Sequence, residues 1–152
     1  MRRWATTIGM ALALAACAPT TTQAQGNDVS ANSSLPAPTP SDVRVRITQE
    51  QNGQVIQVGL NQRFAVELVG VPTAGYVWTP AVMPDFLTRA GEASGGTTRA
   101  QSQPGFAGGN HWEVLMFAAT RAGRGELVLE QRRPWETDQA PTQVFRVEIE
   151  AR

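Results

Sequence analysis

From Val43 onward, apolar and polar residues exchange places in short runs. Val43-Arg44-Val45-Arg46-Ile47, Gln54-Val55-Ile56-Gln57-Val58 and Phe64-Ala65-Val66-Glu67-Leu68 all follow a period of two. Successive side chains of a β-strand point to opposite faces, so a strand with one face in a core and the other in water reads this way. The pattern returns across Gly125 to Gln131 and again across Val144 to Ile149, where Phe145, Val147 and Ile149 share one face and Val144, Arg146 and Glu148 the other. A longer apolar run, Trp112 to Ala119, predicts a strand covered on both sides. No window of a dozen residues carries apolar positions at helical spacing without Gly or Pro, so no long helix is expected. One short turn is predicted at Asp85 to Leu87, after Pro84. Roughly six to eight short strands in about 110 residues, separated by Gly, Pro and Asn, predict an all-β fold: an immunoglobulin-like antiparallel β-sandwich.

The first 41 residues do not share this pattern. Met1-Arg2-Arg3, an apolar stretch from Trp4 to Ala16 and small residues before Cys17 form a signal peptide over 1–16, too short to span a hydrocarbon core of about 30 Å. Leu14-Ala15-Ala16-Cys17 resembles the bacterial lipobox, which implies acylation of Cys17 and attachment to a membrane of the cell envelope. The alternative is an ordinary signal ending near Gln23 to Gln25. Ala18 rather than Asp follows the cysteine, which favours the outer membrane over the inner one. Residues 17–41 are rich in Thr, Ser, Gln, Asn, Ala and Pro and predict a flexible tether with a reach of about 25 to 30 Å. The folded domain is then expected over 42–152. Cys17 is the one cysteine, so that domain must be stable without a disulfide.

Charge and chemistry narrow the function classes. The 13 basic residues are all Arg, and removal of Arg2 and Arg3 leaves 11 against 13 Asp and Glu. A mildly acidic chain offers no electrostatic basis for nucleic-acid binding. The folded part has one histidine, His111, where a zinc site needs several His or Cys ligands, so no metal or other cofactor is expected. No serine sits in a Gly-x-Ser-x-Gly elbow, and no glycine-rich turn joins a strand to a helix. The residues therefore point away from an enzyme.

Three loops stand out instead. Gly70-Val71-Pro72-Thr73-Ala74-Gly75-Tyr76-Val77-Trp78 combines a φ-restricting Pro with a permissive Gly. Gly105-Phe106-Ala107-Gly108-Gly109-Asn110 is a nearly bare bend with an apolar tip. Gln131-Arg132-Arg133-Pro134-Trp135-Glu136 puts a large aromatic at a turn, where an exposed Trp forgoes burial of about 150 to 250 Å² unless a partner supplies it.

Taken together these loops resemble the chagasin-like inhibitors of papain-type cysteine proteases, whose loops carry Asn-Pro-Thr-Thr-Gly, Gly-x-Gly-Gly and Arg-Pro-Trp in that order. Arg133-Pro134-Trp135-Glu136 fits the third motif unchanged, and Pro72-Thr73-Ala74-Gly75-Tyr76-Val77-Trp78 fits the first running into a Tyr-x-Trp strand. Val71 and Ala74 stand where the family has Asn and often a second Thr. The resemblance implies that the loops share one end of the sandwich and occlude a protease's active-site cleft without a covalent step. It places Pro72, Thr73, Ala74, Gly75 and Tyr76 at the centre, Phe106, Gly108 and Gly109 on one flank, and Arg133, Pro134 and Trp135 on the other. The implied partner is a papain-like cysteine protease, bound by a monomer that has no cofactor. The other reading is an envelope-anchored immunoglobulin-like module that binds through a sheet edge, its loops being ordinary turns. The two separate on one feature: an inhibitor requires Trp135 and Pro72 exposed at the same end.

Overall fold

The computed structural model describes residues 34–152; the signal peptide, Cys17 and most of the expected tether lie outside the described residues. Among the described residues, eight strands form two four-stranded sheets. In chain order they are β1 (Val45–Thr48), β2 (Val55–Val58), β3 (Arg63–Gly70), β4 (Val77–Val82), β5 (Leu87–Gly96), β6 (His111–Ala119), β7 (Gly123–Arg132) and β8 (Gln143–Ala151). One sheet has the order β1-β3-β6-β5 and the other β2-β8-β7-β4. The immunoglobulin-like sandwich is borne out. Within it the edge strands β1 and β2 join β3 and β8 in parallel, while the other pairs are antiparallel.

The period-two runs supply the space between the sheets. Ile47, Phe64, Val66, Leu68, Leu115 and Phe117 from one sheet meet Leu127, Leu129, Phe145, Val147 and Ile149 from the other, all 4 % exposed or less. Phe64 and Phe117 stack with ring centroids 5.7 Å apart. Trp78 closes this core at one end, its indole N–H donating to the Val69 carbonyl at 2.9 Å.

Two stretches depart from the sequence reading. Leu87 to Gly96 forms the ten-residue β5, although Thr88-Arg89-Ala90-Gly91-Glu92 shows no clean alternation. A positive φ at Gly91 and a register shift between Arg89 and Gly91 interrupt the period there. The predicted turn precedes this strand, with the Leu87 N–H donating to the Pro84 carbonyl at 3.0 Å.

The second departure is at the tether. The sequence reading carries it to Ser41, but Ser34 to Val43 lie across the outer face of the β1-β3-β6-β5 sheet. Val43 is buried there with Ala65, Val114 and Met116, and Ala37, Ala90 and Ala93 pack against them. This covering is why four consecutive residues of β6, Val114 to Phe117, are all buried. Pro36, Pro38 and Pro40 lower the entropic cost of docking, since each proline already fixes its φ in the unfolded chain. Low hydrophobicity alone therefore understates what this segment can do.

Candidate functional site

Strand register brings the three loops together. Gly70, the last residue of β3, pairs with His111, the first of β6, and Gly96, the last of β5, pairs with the same His111. Val77 at the start of β4 pairs with Arg132 at the end of β7. The β3–β4 crossing, the β5–β6 hairpin loop and the β7–β8 hairpin loop thus leave the sandwich at one end.

The first loop is closed by its own backbone. Pro72–Ala74 make one 3₁₀ turn, the N–H groups of Ala74 and Tyr76 both donate to the Val71 carbonyl at 2.9 and 3.3 Å, and the Gly75 N–H donates to Pro72 at 2.9 Å. Because these bonds are main-chain bonds, valine at position 71 does not open the turn. Gly75 has φ +83°, in the left-handed region. A second constraint acts on it: a Cβ at this position would lie 2.2 Å from the indole carbon Cη2 of Trp135.

That contact joins the first loop to the third. Arg133 strengthens the junction, its Nε–H donating to the Ala74 carbonyl at 2.9 Å and its guanidinium carbon lying 4.5 Å from the centroid of the Tyr76 ring. Glu136 accepts from Nη1 of the same guanidinium at 2.9 Å. The half-exposed Arg133 head group thus makes its contacts within the molecule, fixing one loop to the other. Trp135 remains 68 % exposed, and Pro72, Thr73, Ala74 and Pro134 are exposed beside it; Gly75 and Tyr76 are partly covered. Trp135 and Pro72 therefore meet the requirement that separated the two readings. Trp78, two residues beyond Tyr76, belongs to the core.

The middle loop stands next to these two. A short 3₁₀ turn, Arg99–Ser102, leads into a crown in which Gly108 and Gly109 have φ of +82° and +94°. Phe106 folds its ring toward Gly109, whose Cβ would lie 3.4 Å from that ring, and still exposes 46 % of its surface. Gln101 ties the stem, accepting from the Thr98 N–H at 2.9 Å and donating to the Asn110 carbonyl at 2.7 Å.

Beneath the first loop lies a carboxylate that sequence reasoning passed over. Glu113 interrupts the apolar run of β6 and points toward the core end. Its Oε2 accepts the Trp78 main-chain N–H at 2.8 Å, while Oε1 is buried without a partner. Gly70 makes room for it, since a Cβ there would lie 1.7 Å from Oε1. Burial raises the Glu113 pKa above its ordinary value; the Trp78 N–H and the nearby His111 charge oppose the rise. A lone acid in an apolar strand was the available signal. Among the described residues no His, Cys, Asp and Glu group is placed to hold a metal, and no helix is long and apolar enough to cross a membrane.

The sandwich thus presents three pre-shaped loops at one end, with the aromatic side chains of Trp135 and Phe106 exposed on them. Residues 57–149 match the family model described as Chagasin family peptidase inhibitor I42, and the chain belongs to that family, whose members are protease inhibitors and not enzymes. Among solved structures it is similar to the cysteine protease inhibitor EhICP2 from Entamoeba histolytica, with 17% identity, a TM-score of 0.61, and coverage of 75% of this chain and 100% of that one. It is also similar to Amebosin, with 24% identity, a TM-score of 0.55 and coverage of 71% and 97%. PbICP-C, solved in complex with falcipain-2, aligns with 14% identity, a TM-score of 0.42 and coverage of 75% and 95%. No curated protein matches the chain.

Two outcomes are expected from this geometry. Gly75→Ala should destabilise the fold by about 1 to 2 kcal/mol through the left-handed backbone alone, and should change the near-ultraviolet circular dichroism as the Trp135 indole is displaced. An unaltered urea midpoint and spectrum would contradict the Gly75–Trp135 packing. For Glu113 the folded-state pKa lies above the unfolded one, so its favourable contribution is complete below the unfolded value near 4.5 and is lost as pH rises through the folded value. Glu113→Gln should therefore flatten the fall in stability from that pH toward neutrality, as read by urea unfolding across the range. Parallel curves for the two proteins would refute it.

Proposed function

We propose that this chain is a reversible, non-covalent inhibitor of papain-like cysteine proteases that blocks the active-site cleft with its three loops. Membership of a family of peptidase inhibitors supports the reading, as does the name of the similar EhICP2, a cysteine protease inhibitor. The observation that carries it is the clasp between the first and third loops: Arg133 on the Ala74 carbonyl, and the Trp135 indole over Gly75.

The physical case is one of preorganisation. Binding costs conformational freedom at the interface, and loops already fixed by proline, by backbone hydrogen bonds and by each other have little left to lose. Pro72, Thr73, Ala74, Gly75 and Tyr76 form the central wedge over the protease's catalytic residues, with Phe106, Gly108 and Gly109 on one flank and Pro134 and Trp135 on the other. Arg133 serves this surface by holding Trp135 and the wedge in one arrangement. An exposed indole on a fixed backbone is suited to a pocket on a partner, because desolvated aromatic anchors dominate protein interfaces. No group of the loops reacts with the protease; inhibition is by occlusion, and the inhibitor acts as a monomer.

The same proposal places the protein in a bacterial cell envelope, held by a lipid on Cys17, with the outer membrane preferred. The motif at Leu14 to Cys17 is its support.

Trp135→Ala should weaken competitive inhibition of papain, measured with a small fluorogenic substrate, by roughly thirtyfold to a thousandfold, or about 2 to 4 kcal/mol. The melting temperature should stay nearly unchanged because the indole is largely exposed. An equally potent variant, or a wild-type protein inactive on papain and several relatives, would sink the proposal. Separately, Cys17→Ser should move the protein from the detergent phase to the aqueous phase on partitioning of cells that express the full chain; retention in the detergent phase would remove the lipid anchor.

A further inference from the structure

We infer that Ser34 to Thr39 form a brace that positions the middle loop for protease binding, with Trp112 as its fastening; the inference rests on the inhibitory reading above. This segment lies outside the residues 57–149 that match the family. It grips the middle loop by both stems. The Leu35 N–H donates to the carbonyl of Thr97, the residue that follows β5, at 2.7 Å, and Ser34 pairs with Thr98. From the other stem, the indole N–H of Trp112, the second residue of β6, donates to the Leu35 carbonyl at 2.8 Å. One residue of the brace thus holds the strands on either side of the loop.

The sheet is shaped to receive the segment. A Cβ on Gly95 would lie 3.3 Å from Cγ of Pro38, so β5 carries no side chain where the brace passes. Farther along, the Thr39 hydroxyl donates to Glu67, and Ala37 joins the cluster of Val43, Ala65, Val114 and Met116.

The loop needs such support. Its crown is rich in glycine, Gly105 and Gly108 have nothing within 4 Å of a Cβ position, and the Phe106 tip is half exposed, so side-chain packing does little to hold it. Gln101 closes the stem from inside the loop. Leu35 and Trp112 close it from outside. A glycine-rich loop fixed at both stems loses less entropy on docking than one fixed at neither.

The test uses the full chain carrying Trp112→Phe, which keeps an aromatic ring and removes the N–H donor, and separately Leu35→Pro, which removes the other donor at a residue already held extended by the following Pro36. Amide hydrogen exchange should quicken by about tenfold across residues 97–110 in the double variant and stay unchanged across 71–76 and 132–136. Inhibition of papain should weaken by about three- to tenfold, mainly through faster dissociation. A general loss of stability would instead raise exchange in all three loops. Wild-type exchange across 97–110 overturns the brace, and faster exchange there with unchanged inhibition overturns its role in binding. A wild-type chain that inhibits no papain-like protease would remove the inhibitory reading, and the exchange data would still decide whether the brace supports the loop.

Discussion

Everything at the loop end depends on the contact between the two sheets. No disulfide is available, so burial of Phe64, Phe117 and Phe145 with the surrounding Val, Leu and Ile side chains must carry stability for a domain of little more than a hundred residues. Those side chains come from strands divided between the two sheets, and the β3–β4 crossing and the β5–β6 and β7–β8 hairpins that join these strands form the loops. Trp78 links core and site. It fills the end of the core, its indole N–H satisfies the Val69 carbonyl at the end of β3, and its main-chain N–H is taken by Glu113. The base of the first loop is thus set by buried groups.

On this base the loops are held by different means. The first uses its own backbone, the third is fastened to the first through Arg133 and Trp135, and the middle loop is fastened at its stems. Arg133 would be an attractive contact for a partner if read from the motif alone. In the fold its guanidinium meets Ala74, Tyr76 and Glu136, which makes it a support for the surface that Trp135 presents. The half-buried carboxylate of Glu113 has the opposite character. It fixes the Trp78 N–H at a cost in desolvation, and the oxygen left without a partner marks that cost.

Much of the fold was legible because alternation is a local signal. Phe145, Val147 and Ile149 could be assigned to the core from their spacing, and Trp112 to Ala119 could be read as doubly covered, though what covered its outer face could not. β5 was not legible, since a bulge at Gly91 and small residues facing the Ser34–Val43 segment remove the period on which that reading depends. The candidate site divides in the same way. Pro72, Gly75 and Trp135 announce themselves by residue type at turns, whereas Glu113 looks like a flaw in an apolar strand until Gly70 and Trp78 are placed around it.

By itself, then, the sequence determined an all-β sandwich, the positions of its turns, three loops of unusual chemistry and the family to which they point. These follow from side-chain periodicity and from the φ preferences of proline and glycine, which act over a few residues. The tertiary structure alone decided that Arg133 donates to a carbonyl 59 positions away, that the Trp135 indole lies over Gly75, and that Leu35 reaches a tryptophan 77 positions distant. Those pairings are set by sheet register and by the packing of one sheet on the other, and no local preference along the chain encodes them.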